Sequence, residues 1–246
     1  MKKYLCTAAS VAMLCSAMAA SDMAESAREA ARQYGAAVRN CDMVWALDSM
    51  YPPLRRSYAD QTNGRSREAE IARARRIQGL DVETKEEARA RMAANDKALR
   101  ARYARMGQEM KKSGMVIESY TVGTPTAEYV VTPPMAAVRD VRRDASGRLR
   151  AEDIGSTTER SRVVILPTTL VVSVPRADGG RNRMERRSFI YAVRDEIIAD
   201  HTQSRGTVLN KWYFIDGNTD VNTLRSYFPN LPLNLRLPRC SNRVLR

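Results

Sequence analysis

The stretch that decides the fold is RVVILPTTLVVSVPRADGGRNRMERRSFIYAVR, which runs from Arg162 to Arg194. Its first part, Arg162–Val174, is rich in β-branched residues, and Pro167 within it marks a bend. The segment ADGG at 177–180 carries the Asp and Gly residues that are typical of a turn. Met184–Arg194 then supplies a second run of strand-forming residues. The pattern predicts two long antiparallel strands joined by a turn.

Weaker strand patterns lie on both sides of this hairpin. Further strands are predicted at Met115–Val122, Glu128–Thr132, Ala136–Arg142 and Thr207–Asp216. The polar segment Ala145–Thr158 indicates a loop or a weak hairpin. A short helix is predicted over Thr219–Phe228 with Thr219 as its N-cap, and the tail Leu231–Pro238 is expected to be extended.

Helical patterns precede the strands. Apolar residues recur at spacings of three and four, which places them on one helix face (Ala24, Ala27, Ala31, Tyr34, Val38 and Cys41). Asp22, with Glu25 three residues later, is a candidate N-terminal cap for this helix. A second helix is predicted over Met43–Tyr51, and Pro52-Pro53 is expected to stop or kink it.

A long segment between the helices and the strands is also helical in pattern. Residues 65–112 contain no proline, and two helices are expected, at about 65–79 and 84–112. Thr84 with Glu87 forms a capping-box pattern at the start of the second. The segment has 14 basic and 8 acidic residues. This charge indicates either a docking surface or a solvated helix face.

The order of these patterns predicts an α+β protein. Helices come first and a meander of strands follows, which is typical of an antiparallel sheet with helices on one face. We expect N-terminal helices packed on a curved antiparallel sheet, in one domain over 21–246. The helical hairpin or arm at about 63–113 would be an insertion in that domain.

The first twenty residues have the layout of a secretory signal peptide. Lys2 and Lys3 precede a mostly apolar stretch, Tyr4–Ala20, which ends in the small-x-small pattern of Ala17-Met18-Ala19. The alternative is a membrane anchor, but the stretch is short for a span and has polar residues. We therefore expect an exported protein, periplasmic or secreted, with no transmembrane span after cleavage.

Export changes the charge and the cysteine content. The chain of 246 residues has 41 Lys and Arg and 28 Asp and Glu, a net charge of +13, which becomes +11 without Lys2 and Lys3. Cys41 and Cys240 are the cysteines left after cleavage. In an oxidising compartment two cysteines favour one disulfide, and the alternative is two separate thiols.

Two segments resemble a known family. AVRNCDMVWAL at 37–47 looks like the opening of nuclear-transport-factor-2-like proteins, which have the cystatin-like α+β cone fold, and KWYFIDG at 211–217 resembles the family's late strand. The resemblance covers about 22–58 and 115–217. It implies an apolar pocket between the sheet and the first helices. It also implies either an enzyme, such as an isomerase, a dehydratase or a polyketide cyclase, or a non-catalytic binding domain.

Carboxylates are the candidate catalytic groups, because catalytic members of that family use pocket carboxylates for proton transfer. The candidates are Asp42, Asp48, Asp195 and Asp216, with Tyr34 and Tyr51 as possible hydrogen-bond donors. Each carboxylate has a structural alternative, such as a helix cap for Asp42 or a turn for Asp216. Candidate ligand-binding residues are Tyr34, Trp45, Tyr51, Trp212 and Phe214. Their alternative role is to pack the sheet against the first helices.

The sequence contains no motif for metal, nucleotide or serine-hydrolase chemistry, and its one histidine, His201, falls in a predicted loop. No metal and no cofactor are therefore expected. Nucleic acid is disfavoured as a partner, because aromatic residues do not alternate with the basic runs. The function predicted is an exported, non-catalytic binding protein whose basic surface binds a protein or an anionic envelope or glycan component. The alternative is a small cone-fold enzyme that uses a pocket carboxylate.

Overall fold

The computed structural model describes residues 5–63, 84–131, 136–143, 149–157, 159–197, 210–235 and 237–245, together with residues 71, 75, 78 and 79. The helices are α1 (Leu5–Arg39), α2 (Met43–Asp48), α3 (Pro52–Asn63), α4 (Lys85–Lys112) and α5 (Val221–Tyr227). The strands are β1 (Val116–Val122), β2 (Ala127–Val131), β3 (Ala136–Arg143), β4 (Leu149–Thr157), β5 (Glu159–Pro175), β6 (Arg181–Ile197), β7 (Trp212–Asp216) and β8 (Ser241–Leu245). The α+β class is confirmed.

The β5–β6 hairpin is the centre of the sheet. The two strands pair without interruption from Glu159 opposite Ile197 to Pro175 opposite Arg181. This confirms the predicted hairpin, which is longer at both ends than the sequence pattern indicates. Each strand has 17 residues, and the two pair with no register shift. Each strand therefore fixes the position of the other along its whole length.

Four shorter strands extend the hairpin into an open, curved sheet of six antiparallel strands. β1 and β2 pair with successive parts of β5, and β7 and β8 pair with successive parts of β6. β3 and β4 form a separate two-stranded hairpin. The segment expected to be a loop or a weak hairpin therefore supplies β4. β8 has no counterpart in the sequence predictions.

Helix α1 covers one face of the sheet. Its fully buried Ala27 and Ala31 contact a core of sheet residues: Val122, Val164, Leu166, Ile190, Ala192, Trp212 and Phe214. Small side chains let the helix axis approach the sheet closely. The predicted apolar stripe is thus confirmed at these two positions. The predicted start at Asp22 is wrong, because the apolar residues before it continue the same helix from Leu5.

The opposite face is covered by a second core. Tyr51 and Leu54, around the start of α3, pack with Leu224 of α5 and with Phe228 and Leu231 after it. The sheet contributes Val131, Val163, Ile165, Phe189, Tyr191, Val193, Tyr213 and Ile215. Both faces of the sheet are therefore buried at 163–166 of β5, 189–193 of β6 and 212–215 of β7, which explains why apolar residues fill consecutive positions there.

Two helix predictions are wrong at their ends. α2 stops at Asp48 rather than Tyr51, and the proline pair begins α3 instead of ending a helix. Proline fits the first turn of a helix, where its missing N–H has no intrahelical acceptor. The cap of α5 is Asp220, whose side chain accepts from two backbone N–H groups, and not Thr219.

α4 confirms its predicted capping box. Thr84 Oγ1 accepts from the Glu87 N–H at 3.2 Å, and Glu87 Oε2 accepts from the Thr84 N–H at 2.8 Å. The helix packs on α2 and α3, where Leu99 is buried with Leu47 and Ala59. The other predicted helix, at 65–79, lies almost wholly outside the described residues. Among the helices that the structure describes, none has the length and apolar character needed to cross a membrane.

Gly35 shows how closely α1 approaches β1. A Cβ atom at Gly35 would lie 2.2 Å from Cδ1 of Tyr120, near the base of a packed ring. We expect Gly35→Ala to lower the free energy of unfolding by roughly 1–3 kcal/mol, although Ala is the better helix former. Urea denaturation measures this change. In the Tyr120→Leu background the same substitution should lower the free energy of unfolding by a smaller amount. An equal decrease in both backgrounds would contradict the close contact.

Candidate functional site

A short extended segment between α2 and α3 positions the site. The Phe214 N–H donates to the Ser49 carbonyl at 2.8 Å, and the Tyr51 N–H donates to the Phe214 carbonyl at 3.0 Å. Residues 49–51 therefore run beside β7 and occupy its outer edge, with Met50 bridged to Phe214 in parallel. We call this pairing the seam. It holds the end of α2 and the start of α3 against the sheet.

A cavity of about 420 Å³ lies between the helices and β7. Four helices or strands supply its aromatic side chains, namely α1, α3, α4 and β7. Its lining residues are Tyr34, Met43, Ala46, Met50, Tyr58, Tyr103, Met106, Phe214, Asp216, Asn218 and Thr219. A pocket between the first helices and the sheet is what the resemblance implied.

The cavity wall nearest α1 is built from stacked aromatic rings. The ring centroid of Tyr34 lies 4.9 Å from that of Phe214, at a tilt of 40°. On its other side Tyr34 meets Tyr120 edge to face, at 6.3 Å. Pairs at these separations are mutually attractive and fix the ring orientations. The Tyr34 ring is thus held between the sheet and the cavity.

The cavity favours neutral tyrosines. Burial raises the pKa of Tyr34 from 10.0 to about 12, with smaller contributions from the Asp216 charge and from Tyr103. Burial also raises the pKa of Tyr103, with Tyr58 and Asp216 acting in the same direction and Arg102 acting against it. Two cavity tyrosines therefore respond to the Asp216 charge.

Asp216 is an exposed residue at the end of β7. Its Oδ1 accepts from the backbone N–H of Asn218 at 2.8 Å and from Asn218 Nδ2 at 2.7 Å. Thr219 follows in the same turn, and its buried Oγ1 has no hydrogen-bond partner among the described residues. The turn therefore places the Asp216 carboxylate at the cavity, with Asn218 and Thr219 beside it.

The candidate ligand-binding residues separate into two groups. Tyr34 and Phe214 line the cavity. Trp45 is 39% exposed and does not line it. Trp212 packs against α1, where its Nε1 donates to Ser26 Oγ at 3.0 Å, and Tyr51 is fully buried in the core. The last two have the packing role that was their alternative.

Three of the four carboxylates put forward as catalytic have structural contacts, and the fourth, Asp216, lines the cavity. Asp42 caps α2 by accepting from the Trp45 N–H at 3.0 Å. Asp48 accepts both Nη groups of Arg100, at 2.5 and 2.9 Å, as well as Arg55 Nη1 at 2.8 Å. Both positions thus have a stabilising role in the helical layer.

Asp195 is fully buried on β6 beneath the second core. Its Oδ1 accepts from Ser161 Oγ at 2.6 Å and its Oδ2 from the Tyr51 hydroxyl at 3.4 Å. Asp195 does not line the cavity that contains Tyr34. It joins strands β5 and β6 to the seam.

The predicted disulfide is not formed, which corrects that expectation. Cys41 is a buried free thiol in the turn after α1, where its carbonyl faces Gly107 of α4. Cys240 is an exposed free thiol beside Ser188 of β6, with 3.8 Å between Sγ and Oγ. The two cysteines therefore lie beside different parts of the structure, and no disulfide joins them.

A second cavity, of about 400 Å³, lies between α3 and α4. Its charged groups pair with one another across the helices. Arg55 Nε donates to Asp96 Oδ1 at 2.7 Å, and Asp60 Oδ1 accepts from Asn95 at 2.7 Å and Arg91 at 3.2 Å. These pairs attach α4 to α3, and each contributes little by itself because it is partly exposed.

A third feature is a row of arginines on the far half of the β5–β6 hairpin. Side chains two residues apart share a face of a strand, and here Arg181, Arg183 and Arg187 of β6 do so with Arg243 of β8. All four are exposed. We call these four residues the arginine face.

Two carboxylates neutralise part of the positive charge of this face. Glu118 holds Arg183 through two nitrogens, at 2.6 and 3.0 Å, and Glu185 Oε1 accepts from Arg187 Nε at 2.9 Å. Arg181 bonds to neutral groups, Ser173 Oγ at 2.6 Å and the Gly114 carbonyl at 2.8 Å. The face thus keeps an excess of positive charge.

The described residues contain no group of three or more His, Cys, Asp or Glu side chains placed to hold a metal ion. His201 lies outside the described residues. No family model, no curated protein and no solved structure matches this chain. The chemistry of its sites must therefore be argued from its own residues.

Sequence reasoning missed several lining residues. Tyr103 and Met106 recur at helical spacing with Leu99 and Met110 in α4, but this spacing alone does not distinguish a cavity wall from a closed core. Tyr58 and Thr219 carry no local signal at all. Their position depends on the seam, which is a contact between distant segments.

Ser161→Ala tests the structural role of Asp195. The substitution leaves a buried carboxylate oxygen without its shortest hydrogen bond, so we expect the free energy of unfolding to fall by about 1–3 kcal/mol. Urea denaturation measures the change. Ser241→Ala, at an exposed serine of β8, is the control and should stay within about 0.5 kcal/mol of wild type. Equal effects of the two substitutions would contradict the role given to Asp195.

Tyr34→Phe tests the environment of the cavity wall. With a folded pKa of about 12 against 10.0 unfolded, the neutral Tyr34 contributes stability that is complete below pH 10 and lost as pH rises through 12. The variant lacks this contribution, so its free energy of unfolding should fall less between pH 9 and pH 12. Urea denaturation across that range measures it. Parallel curves for wild type and variant would show that Tyr34 is not desolvated.

Proposed function

We propose that this protein is a non-catalytic binding protein that docks an anionic protein or envelope component on its arginine face. The observation that carries the proposal is the alignment of four exposed arginines, from two strands, on one side of a rigid sheet. Planar guanidinium groups suit carboxylate, sulfate and phosphate oxygens, since they bind them through two parallel hydrogen bonds.

The geometry of the hairpin supports this docking role. The arginines lie on strands with continuous pairing, so a partner meets them at fixed spacings without ordering a loop. Glu118 and Glu185 orient two of the four guanidinium groups. A surface of this kind accelerates association with an anionic partner and weakens as salt is added.

The contacts of the candidate carboxylates support the absence of catalysis. Asp42 is used as a cap, Asp48 is in ion pairs with two arginines, and Asp195 is buried with Ser161. A general base must instead reach a substrate proton within hydrogen-bond distance. None of these three carboxylates lines the cavity beside Tyr34.

Export of the protein is part of the same proposal. The signal-like pattern of the first twenty residues supports a periplasmic or secreted location, where anionic envelope components are accessible. Membership of the nuclear-transport-factor-2-like class is likewise proposed. Its support is the order of helices before an antiparallel sheet and the cavity between them.

A second candidate function is proton transfer on a small substrate in the cavity. It is favoured by one observation, that Asp216 lines the cavity together with Tyr34 and Tyr103. In that case Asp216→Asn would abolish turnover without unfolding the protein. If the cavity only binds its ligand, mass spectrometry would show the ligand chemically unchanged after prolonged incubation with the protein.

The double substitution Arg187→Gln and Arg243→Gln tests the arginine face. Each basic residue near an anionic surface contributes about 1 kcal/mol, so we expect binding to be about thirtyfold weaker at low ionic strength. Binding is measured by sedimentation with anionic phospholipid vesicles and by affinity titration with heparin and polyglutamate, each over a range of salt concentration.

The matched control is Lys111→Gln with Lys112→Gln, at the end of α4. It removes the same charge from exposed positions on another element. The control should bind more than tenfold tighter than the arginine variant. Equal weakening of both variants would indicate a general charge effect, and no binding to any of the three probes at low salt would contradict the proposed function.

A further inference from the structure

The cavity differs in charge from the rest of the molecule. The chain carries a net charge of +13, yet among the described residues no Lys and no Arg lines the cavity. Asp216 is the one formally charged side chain among these described lining residues. Arg102, which acts on Tyr103 from α4, is not among the lining residues. The cavity is therefore a locally acidic site in a strongly basic protein, and it disfavours anionic ligands.

Aromatic rings line the same cavity as this charge. Tyr34, Tyr58, Tyr103 and Phe214 come from four separate elements and share one cavity. The face of each ring carries partial negative charge, which attracts a cation placed within about 6 Å of the ring centroid. Several rings around one space attract a cation from several sides, while their carbon surface also accepts methyl groups.

The remaining wall combines methionines with polar side chains. Met43, Met50 and Met106 contribute polarisable side chains that adapt to irregular shapes. Asn218 and Thr219 add polar groups beside Asp216. The lining thus offers aromatic faces, thioethers, hydroxyl and amide groups and a carboxylate.

We propose that this cavity binds an organic ammonium ion, in which alkyl groups on the nitrogen contact the aromatic rings and Asp216 balances the charge. A small inorganic cation does not use the apolar wall, and a neutral apolar molecule does not use the carboxylate. An alkylated ammonium uses both. The site is separate from the arginine face in residues and in charge, so the two proposals stand independently.

Choline and its neutral isostere 3,3-dimethylbutan-1-ol are the probes, because they differ by the charge and hardly in shape. Binding to the full-length protein is measured by isothermal titration calorimetry and by chemical-shift changes of labelled tyrosine rings. We expect choline to bind at least about tenfold tighter than the isostere. Shifts should be largest at Tyr34, Tyr58 and Tyr103.

Asp216→Asn removes the charge while its remaining carbonyl oxygen can still accept from Asn218. This variant should lose about tenfold in affinity for choline and be unchanged for the isostere. Asp220→Asn is the matched control, since it removes a nearby charge outside the lining and asparagine is an equally good helix cap. It should bind choline like wild type.

Two substitutions of Tyr103 separate the contribution of its ring to choline binding from that of its hydroxyl. Tyr103→Phe keeps the ring and should retain choline binding within about threefold, whereas Tyr103→Leu should lose most of it. Melting temperatures of all variants confirm that they are folded. Equal affinity for the two probes, no choline binding by the folded wild type, or an Asp216→Asn variant that binds normally would each overturn the proposal. The arginine-face result is unaffected by any of these outcomes.

Discussion

Two backbone hydrogen bonds at the outer edge of β7 determine where the cavity beside Tyr34 lies. The seam pairs residues 49–51 with Phe214, so a segment between two helices completes the edge of the sheet. An open edge would expose unpaired N–H and C=O groups. Because the seam fixes the end of α2 and the start of α3, it also sets Tyr51 in one core and Met50 at the cavity. Without it, α4 would lack the surface against which Leu99 packs.

The same arrangement separates the charges of the molecule. The arginine face lies on the distal half of the β5–β6 hairpin, beside β8, whereas the cavity lies beside β7, which pairs with the other half of β6. Arg91 and Arg100 of α4 form ion pairs with carboxylates of the neighbouring helices. Arg55 of α3 in turn pairs with Asp96 of α4. The basic surface proposed for anions and the cavity proposed for cations are thus compatible in one chain of strongly positive net charge.

Local patterns predicted the central hairpin, the α4 cap and the buried face of α1, since each depends on residues close in sequence. Most of the failures depend on distant contacts. Pro52 begins a helix because the seam already ends α2. The cap of α5 is a local failure, since Asp220, one residue after Thr219, accepts from the N–H groups two and three residues ahead. A disulfide between Cys41 and Cys240 was expected from their number alone, but its formation depends on how close the two residues lie in the folded protein. Tyr34, Phe214 and Asp216 were candidates from the sequence, whereas Tyr58 and Thr219 join them only through the fold.

The dependence of the site on the seam is tested most directly by amide hydrogen exchange, resolved by residue. If the seam holds the helical layer against the sheet, the amide protons of Tyr51 and Phe214 exchange only through near-global opening. Their protection should then match that of the paired amides of β5 and β6. Exchange of these two amides at the rate of an unstructured peptide, while β5 and β6 stay protected, would show that the seam is open and would contradict the account of how the cavity is formed.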